Sequence, residues 1–462
     1  MATDNSASFP TNEKLIFALQ NDLKTLSLET EEKHGFVRDA CEKAITKIRG
    51  AQASPNCMAY ITSQALYPVI QGCDTKEPKI VKLCLHSIQK LITGGFVDVK
   101  GARSIYETVV VLLENGIEEN KVLQIVTLLL TTNNIVKGDI LAKCLVLCFR
   151  LHCSRDVTTA HAAGAAVRQL VSLVFERIDK DIIVTDGQLS PEATDAYSLF
   201  QDLIFLVNGE KPVWLVGISE MFRSFGLELL ETVLYRFPFV FVKYDKFGLL
   251  LKERVCAMVI KLFSPNAKFK ATQAQQGQTT ADDLLLDKSF YPTSVRLLRI
   301  VDILINKYYT LLVTECEIFL SLLVRFLDHD KPTWQQCLAL EVLHKLITSP
   351  QHLSKFCRSY DLKPHATNIC KDMVNALGAY VQSVFANPIG AMAVSLSTPT
   401  AGNAPNSGVP TNPANGPTNS ANDASTGFYF RGSLVPLVQV YQPSTPKPQL
   451  YVWIEKLFIY LH

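Results

Sequence analysis

Apolar positions recur along most of the chain at the three- and four-residue spacing of amphipathic helices. Leu15, Leu19, Leu23 and Leu26 fall on one stripe. Val37, Cys41, Ala44, Ile45 and Ile48 form a second, and Val81, Leu83, Cys84, Ile88, Leu91 and Ile92 a third. Short breakers separate the stripes: Ser54-Pro55-Asn56, Glu77-Pro78, Gly94-Gly95, Asn115-Gly116 and Gly138-Asp139. Gly or Asn after a helix supplies the left-handed turn that ends it, and Asp or Ser ahead of one caps its open N–H groups. Strand-like alternation is scarce. Helices of about 15–20 residues with tight connections predict stacked antiparallel pairs. The pairs follow one another at about the 40–47-residue spacing of HEAT or armadillo units, with little self-similarity. The expected fold is therefore all-α: an irregular armadillo/HEAT-like α-solenoid with a disordered linker near its C-terminal end.

Changes of composition divide the chain. A polar, turn-rich stretch from Asp179 to Pro191 separates a helical domain over residues 12–180 from a second over 191–386. Within the second, residues 266–289 include Gln273, Gln275, Gln276, Gly277 and Gln278 and are expected to form a flexible loop. Residues 387–427 are rich in Pro, Ala, Asn, Ser, Thr and Gly, with Asp423 the only charge. Such a stretch has too little apolar surface to offset the entropy of ordering, so it reads as a disordered linker. Residues 428–462 contain Pro436, Pro443, Pro446 and Pro448, which leave only Tyr451 to Leu461 able to form a helix. That apolar ending reads as a truncation.

Composition narrows the class of function. The 462 residues hold 45 Lys+Arg and 43 Asp+Glu, for a net charge of +2. A dedicated nucleic-acid binder would show a marked basic excess. No apolar run approaches the ~18 residues that cross a bilayer. The polar Met1–Pro10 stretch lacks the pattern of a signal peptide, and no Asn-x-Ser/Thr site occurs. The 12 cysteines are scattered through apolar helical stripes, which reads as reduced, buried thiols.

No catalytic constellation is present. The Walker loop, the dinucleotide fingerprint, the nucleophile elbow and the H-E-x-x-H motif are all missing. Cys144, Cys148 and His152 share one helical face, with Cys153 beside them. Zinc needs four tetrahedral ligands, usually from two segments, so core packing is the stronger reading. Neither a metal nor a cofactor is expected. One charge imbalance stands out. Lys243, Lys246, Lys252, Arg254, Lys261, Lys268 and Lys270 are opposed only by Asp245 and Glu253. This segment reads first as an ordinary solvated helix face, with contact to an anionic lipid surface or an acidic partner as the functional alternative. Aromatics arranged for base stacking are not evident beside it.

Several longer stretches point to a family. Gln71-Gly72-Cys73-Asp74-Thr75-Lys76-Glu77-Pro78-Lys79-Ile80, Lys121 to Val126 and Val171 to Arg177 resemble the dimerisation and cyclophilin-binding (DCB) domain of large Arf exchange factors. Within the first, Lys76, Glu77, Pro78 and Lys79 form a proline-started helix opening with two exposed lysines. The stretches Asp195 to Leu203, Cys316 to Leu320 and Ser349 to Asp361 resemble the HUS (homology upstream of the catalytic domain) region. The HUS box reads Asn-Tyr-Asp-Cys-Asp; Tyr360 and Asp361 match it, whereas Ser359, Leu362 and Lys363 depart. Asp361 is expected to cap the next helix and Tyr360 to pack beneath the loop. Glu210 to Met221 and Leu311 to Leu323 are the most specific pieces, and the chain is similar to the Mon-two (monensin-sensitivity) homologues from about Lys14 to Phe385.

That resemblance implies a non-enzyme, since Mon-two proteins lack the exchange domain of their relatives. It implies a cytoplasmic scaffold peripheral on trans-Golgi network and endosome membranes. Its implied partners are Dopey proteins, Arf-like small GTPases, a phospholipid flippase and sorting nexins, with a homodimer left open. An armadillo-type adaptor or transport receptor is the alternative.

Overall fold

A computed structural model describes residues 9–30, 33–51, 57–132, 134–178, 189–218, 221–263, 281–364 and 367–386, and two short strands beyond them. These residues form two compact units, dividing between Ile303 and Leu304.

The first unit is a two-layered stack. Its first eight helices are α1 (Phe9–Glu29), α2 (Gly35–Ala51), α3 (Met58–Asp74), α4 (Pro78–Thr93), α5 (Val99–Glu114), α6 (Glu119–Thr132), α7 (Gly138–His152) and α8 (Val157–Glu176). Then come α9 (Pro191–Asn208), α10 (Arg223–Arg236), α11 (Pro238–Lys243) and α12 (Asp245–Leu250). A single π-helical turn (Leu251–Val255) joins α12 to α13 (Cys256–Phe263), and α14 (Ala281–Tyr308) comes next. Odd-numbered helices α1, α3, α5, α7 and α9 pack in succession, as do α4, α6, α8 and α10, while sequential neighbours pack across the layers. This two-layer stacking is the expected all-α solenoid.

The apolar stripes become the core. Val37, Cys41, Ala44, Ile45 and Ile48 of α2 are all buried. The stripe shifts by one position in α1 and by two in α4. Ile16 is buried where Leu15 is partly exposed, and Leu85 is buried where Leu83 is partly exposed. Side chains one residue apart sit about 100° apart on a helix, so a broad apolar face leaves Leu15 and Ile16 both in contention. Leu83 and Leu85, about 200° apart, lie on different faces, and α4 buries the Leu85 side. Helix ends follow local chemistry. Asp98 accepts from Gly101 N, Asp156 from Thr159 N, and Ser190 from Ala193 N ahead of Pro191. Gly209 ends α9 at φ 75°, where a side chain would be strained.

Helix α14 corrects the loop expected over residues 266–289. Helix starts at Ala281, inside that stretch. The Gln/Gly/Thr-rich composition ends at Thr280; Ala281-Asp282-Asp283-Leu284-Leu285-Leu286 then combines helix formers with acids at a helix N-terminus. Residues 264–280 lie outside the described ones. So do 179–188 and the linker read over 387–427, apart from Gly427. Gly427 opens β1 (Gly427–Phe430), which pairs antiparallel with β2 (Ser433–Pro436).

The junction of α8 and α9 is tied in three ways. Phe175 of α8 lies 6.1 Å from Phe200 of α9 and 5.5 Å from Phe237. Phe200 is 5.0 Å from Phe241 of α11, which is 5.5 Å from Phe247 of α12. Arg177 donates to the carbonyls of Val136 (2.9 Å) and Leu130 (2.6 Å). Lys137 pairs with Glu192 at 2.6 Å, and Asp195 accepts from Gly138 N at 3.0 Å. A third carboxylate acts further along. Asp202, buried on α9, accepts from Val213 N, Trp214 N and Leu215 N at 2.9, 2.7 and 2.6 Å.

The second unit holds the end of α14, then α15 (Val313–Arg325), α16 (Thr333–Ile347), α17 (Pro350–Phe356), a second π-helical turn (Cys357–Asp361) and α18 (Ile369–Ala386). α18 packs on α15, α17 and the π turn around buried Phe319, Leu323, Phe356 and Tyr360.

The junction generates two testable outcomes. Phe200→Ala opens a hole in the ring cluster and lowers unfolding stability by about 3–5 kcal/mol in a urea titration. The Lys137 hydrogen bond holds Glu192 below its ordinary value near 4.5. A lowered carboxyl stabilises the fold above its unfolded value and loses that contribution as pH falls through it. Glu192→Gln therefore lowers the melting midpoint at pH 7, and the difference from the parent shrinks below about pH 4.5.

Candidate interaction sites

The HUS-like box sits on the second π turn, where Leu362 N bonds to Cys357 O at 2.9 Å. Single π turns inside helices recur at functional positions. Tyr360 is 1% exposed; its Oη donates to Val313 O at 2.6 Å and its ring lies 6.4 Å from Tyr309. Burial, then the neighbouring Tyr309 hydroxyl, pushes its phenol well above the ordinary range. Asp361 faces the other way along the chain. Its carboxylate accepts from Cys370 N (3.1 Å) and Lys371 N (3.3 Å), the open N–H groups of the first turn of α18. Glu317 of α15 adds a second carboxylate there, accepting from Thr367 N at 3.2 Å and Thr367 Oγ1 at 2.6 Å. Both residues of the box thus pin one helix to another.

The basic segment runs through α11, α12, the first π turn and α13. Lys246, Lys252, Arg254 and Lys261 are exposed, and Lys243 is partly so, its Nζ 5.7 Å from the Tyr244 ring centre. Arg254 lies over Phe205 at 5.9 Å. Lys268 and Lys270 lie outside the described residues. Val242 and Leu249 are exposed among these cations, and inward-facing Phe241 and Phe247 anchor the segment in the ring cluster. The segment thus exposes cations and apolar side chains together, with Asp245 and Glu253 also exposed among them.

Lys76 adopts a left-handed backbone at φ 57°, and its Nζ reaches Asn115 Oδ1 at 3.4 Å. Glu77 sits at the N-cap of α4 with an extended backbone, beside Lys33 Nζ at 3.6 Å, and Pro78 occupies the first turn. Lys79 points to solvent. The four residues shape the tight α3–α4 turn and leave two lysines on its surface.

The cysteine–histidine candidate does not converge. Cys144 and Cys148 are buried in α7, with burial pushing the Cys144 thiol up to about 12. His152 Nδ1 donates to Ala160 O at 3.0 Å, and its ring packs 4.3 Å from Phe225. Among the described residues, no three Cys, His, Asp or Glu side chains gather as a metal set. Sequence reasoning missed Asp202, the phenylalanine cluster and the thiol pair Cys357–Cys370, whose sulfurs lie 3.3 Å apart. A carboxylate directly before a helix, accepting from the N–H three residues on, is a legible cap; one bonded to a loop 11–13 residues on, as in Asp202, leaves no such spacing.

Comparison with known proteins decides the family. Residues 11–182 match the family model for the Mon2/Sec7/BIG1-like dimerisation and cyclophilin-binding domain, DCB. Residues 192–369 match that for the Mon2/Sec7/BIG1-like HUS domain. The chain belongs to this family. It is 49% identical over 463 residues to the Protein MON2 homolog of Drosophila melanogaster, across 96% of this chain and 26% of that protein. Identity to the Homo sapiens homolog is 43% over 470 residues, across 96% and 27%. For Protein MON2 of Saccharomyces cerevisiae it is 22% over 380 residues, across 76% and 22%. The chain spans about a quarter of the length of these relatives. In family terms, the α8–α9 junction lies between the DCB and HUS matches, and the Tyr360–Asp361 turn lies near the end of HUS.

Removing either anchor of that turn has a measurable cost. Asp361→Ala lowers stability by about 1 kcal/mol, as loss of a cap does. Tyr360→Phe lowers it by about 1 kcal/mol through the lost bond to Val313 O. Urea midpoints of the two variants check both values.

Proposed function

We propose that this protein is a non-catalytic scaffold of Golgi and endosome membrane traffic. It serves endosome-to-Golgi recycling from a peripheral position on trans-Golgi network and endosome membranes. Its partners on this reading are a Dopey-type protein and Arf-like GTPases, with flippase and sorting-nexin contacts further along the same route. The observation that carries the reading is the succession of DCB and HUS matches along most of the chain. A stack of helices supports it physically, because its long ridged faces receive several partners at once.

On the same reading the basic face of α11–α13 meets anionic lipid. Each Lys or Arg near such a surface contributes about 1 kcal/mol. No helix among the described residues is long and apolar enough to cross a membrane, so the contact proposed is peripheral.

Affinity capture with the chain as bait tests the scaffold reading. Enrichment of Dopey or an Arf-like GTPase is the expected result; enrichment of nuclear transport factors would replace it with the adaptor alternative. The chain is expected to leave nucleotide release from Arf-type GTPases unchanged, and any acceleration would overturn the non-catalytic reading. Co-sedimentation with phosphatidylserine-rich vesicles tests the basic face. Reversal of Lys246, Lys252 and Arg254 to Glu lowers vesicle binding about tenfold or more at low salt. Equal binding by the reversed variant would remove the lipid assignment.

A further inference from the structure

Two thiols face each other across the joint between the box turn and α18. Cys357 opens the second π turn, and its carbonyl accepts from Leu362 N at 2.9 Å to close that turn. Cys370 lies in the first turn of α18, with its N–H on the Asp361 carboxylate at 3.1 Å. The two sulfurs meet at 3.3 Å. The pair therefore spans the same two elements as the Asp361 cap. The residues stand 13 apart in sequence, so the fold and not a helical spacing brings them together.

Access sets this pair apart. Eight of the 12 cysteines are buried. Cys73 of α3 and Cys84 of α4 also share a hydrogen bond, but both are among those eight, where a dissolved oxidant does not arrive. Cys357 and Cys370 are only partly covered. A disulfide holds its sulfurs about 2.05 Å apart, so this pair needs to close by only about 1.3 Å. Disulfides reachable from solvent are the labile, regulatory kind.

We propose that Cys357 and Cys370 form a reversible dithiol–disulfide latch that fastens α18 to the box turn. Its oxidant is a small disulfide of the glutathione class. The Cys357 thiolate attacks one sulfur of that disulfide; a mixed disulfide forms and the other half leaves as a thiolate. Cys370 then attacks Cys357 Sγ, the internal S–S bond forms, and the second small thiol leaves. Two protein thiols lose two electrons, the small disulfide gains them, and the two thiol protons go to the leaving thiolates. The order follows from the surroundings of Cys370. Burial, then the Cys357 thiol beside it and the Asp361 charge, pushes its thiol well above the ordinary range, which leaves Cys357 to open the exchange. An excess of small thiol runs both steps backwards.

The consequence is local. In the dithiol form, hydrogen bonds to Asp361 and Glu317 hold the start of α18 and the residues just before it. A helix end held by a few such bonds opens at small cost, and a covalent tie suppresses that opening. The latch lies wholly within the second unit and holds whichever cellular route the protein serves.

The test treats the full chain with excess oxidised glutathione, alkylates the remaining thiols in denaturant and digests with trypsin. Cleavage after Arg358 puts the two cysteines on separate peptides unless a disulfide joins them. The joined pair is expected in mass spectra as the main oxidised product at these residues, lost on adding dithiothreitol, with Cys73 and Cys84 alkylated. Hydrogen exchange in the first turns of α18 slows about tenfold or more on oxidation. Cys370→Ser accumulates the glutathione adduct on Cys357, whereas Cys357→Ser leaves Cys370 largely unmodified. Separate adducts on both residues of the parent chain, or two unmodified thiols, overturn the latch. A joined pair with unchanged exchange in α18 overturns its fastening role. Equal adduct formation in the two serine variants overturns the order of attack. The joined peptide is read in the parent chain, whatever the stability of the variants.

Discussion

The packing of five phenylalanine rings at the α8–α9 junction is the contact on which the arrangement of α8, α9, α11 and α12 depends. Phe175, Phe200, Phe237, Phe241 and Phe247 come from α8, α9, α11, α12 and the residue between α10 and α11. Their contacting centroids lie 5.0–6.3 Å apart, with edge-to-face and stacked pairs, the geometry in which aromatic quadrupoles attract. Short helices such as α11 and α12, of 6 residues each, have no stability of their own. They exist because Phe241 and Phe247 are inserted between longer neighbours. The cations of this segment are thereby fixed in place on a rigid support. The same cluster seats α9, and α9 carries Asp202.

Carboxylates then do a second job, at longer range than ordinary capping. Asp195 takes the Gly138 N–H from the start of α7; Asp202 takes three N–H groups from the loop after α9; Asp361 takes two from α18. In each case an acid on one element satisfies backbone donors on another, where water would otherwise be needed. Burial pushes Asp195 upward, opposed by the Gly138 N–H and the nearby Arg177 charge. Charged acceptors make stronger hydrogen bonds than neutral ones, so a few suffice to hold turns that bury little apolar surface. The solenoid joins its layers with hydrophobic stripes and its turns with acids.

Legibility in the sequence depends on the range of the interaction concerned. The stripe of α2 is readable to the residue, because helix periodicity is a local property. In α1 and α4 the choice between Leu15 and Ile16, or Leu83 and Leu85, is settled by which neighbour each helix meets, and that lies outside any local window. The Asp361 cap is within reach of sequence reasoning because Asp361 stands at a turn between two helices, where an acid meets the open N–H groups of the helix that follows. Asp202 is not, since nothing local marks an aspartate in an apolar helix as the anchor of a later loop. The start of α14 is hidden because polar composition before Ala281 outweighs the Asp-Asp-Leu-Leu-Leu signal immediately after it.

Both π turns fall on segments already distinguished by their chemistry: Leu251–Val255 among the cations, Cys357–Asp361 at the box. A π turn inserts one residue into the helical ladder and rotates the next residues about the axis. At the box, this lets Tyr360 enter the core while Asp361, one residue later, reaches the first turn of α18. In a regular α-helix adjacent side chains also diverge by about 100°, but the ladder would continue past Asp361 and carry the chain away from α18. The π turn closes on Leu362 N and ends the helix there. The extra residue is weakly bonded within its own helix, so it persists only where neighbouring elements hold it. Tyr360 Oη on Val313 O and the Asp361 carboxylate on α18 are those holds. The two residues of the box thus brace that backbone geometry from both sides, which gives their pairing in sequence a physical cause independent of any partner.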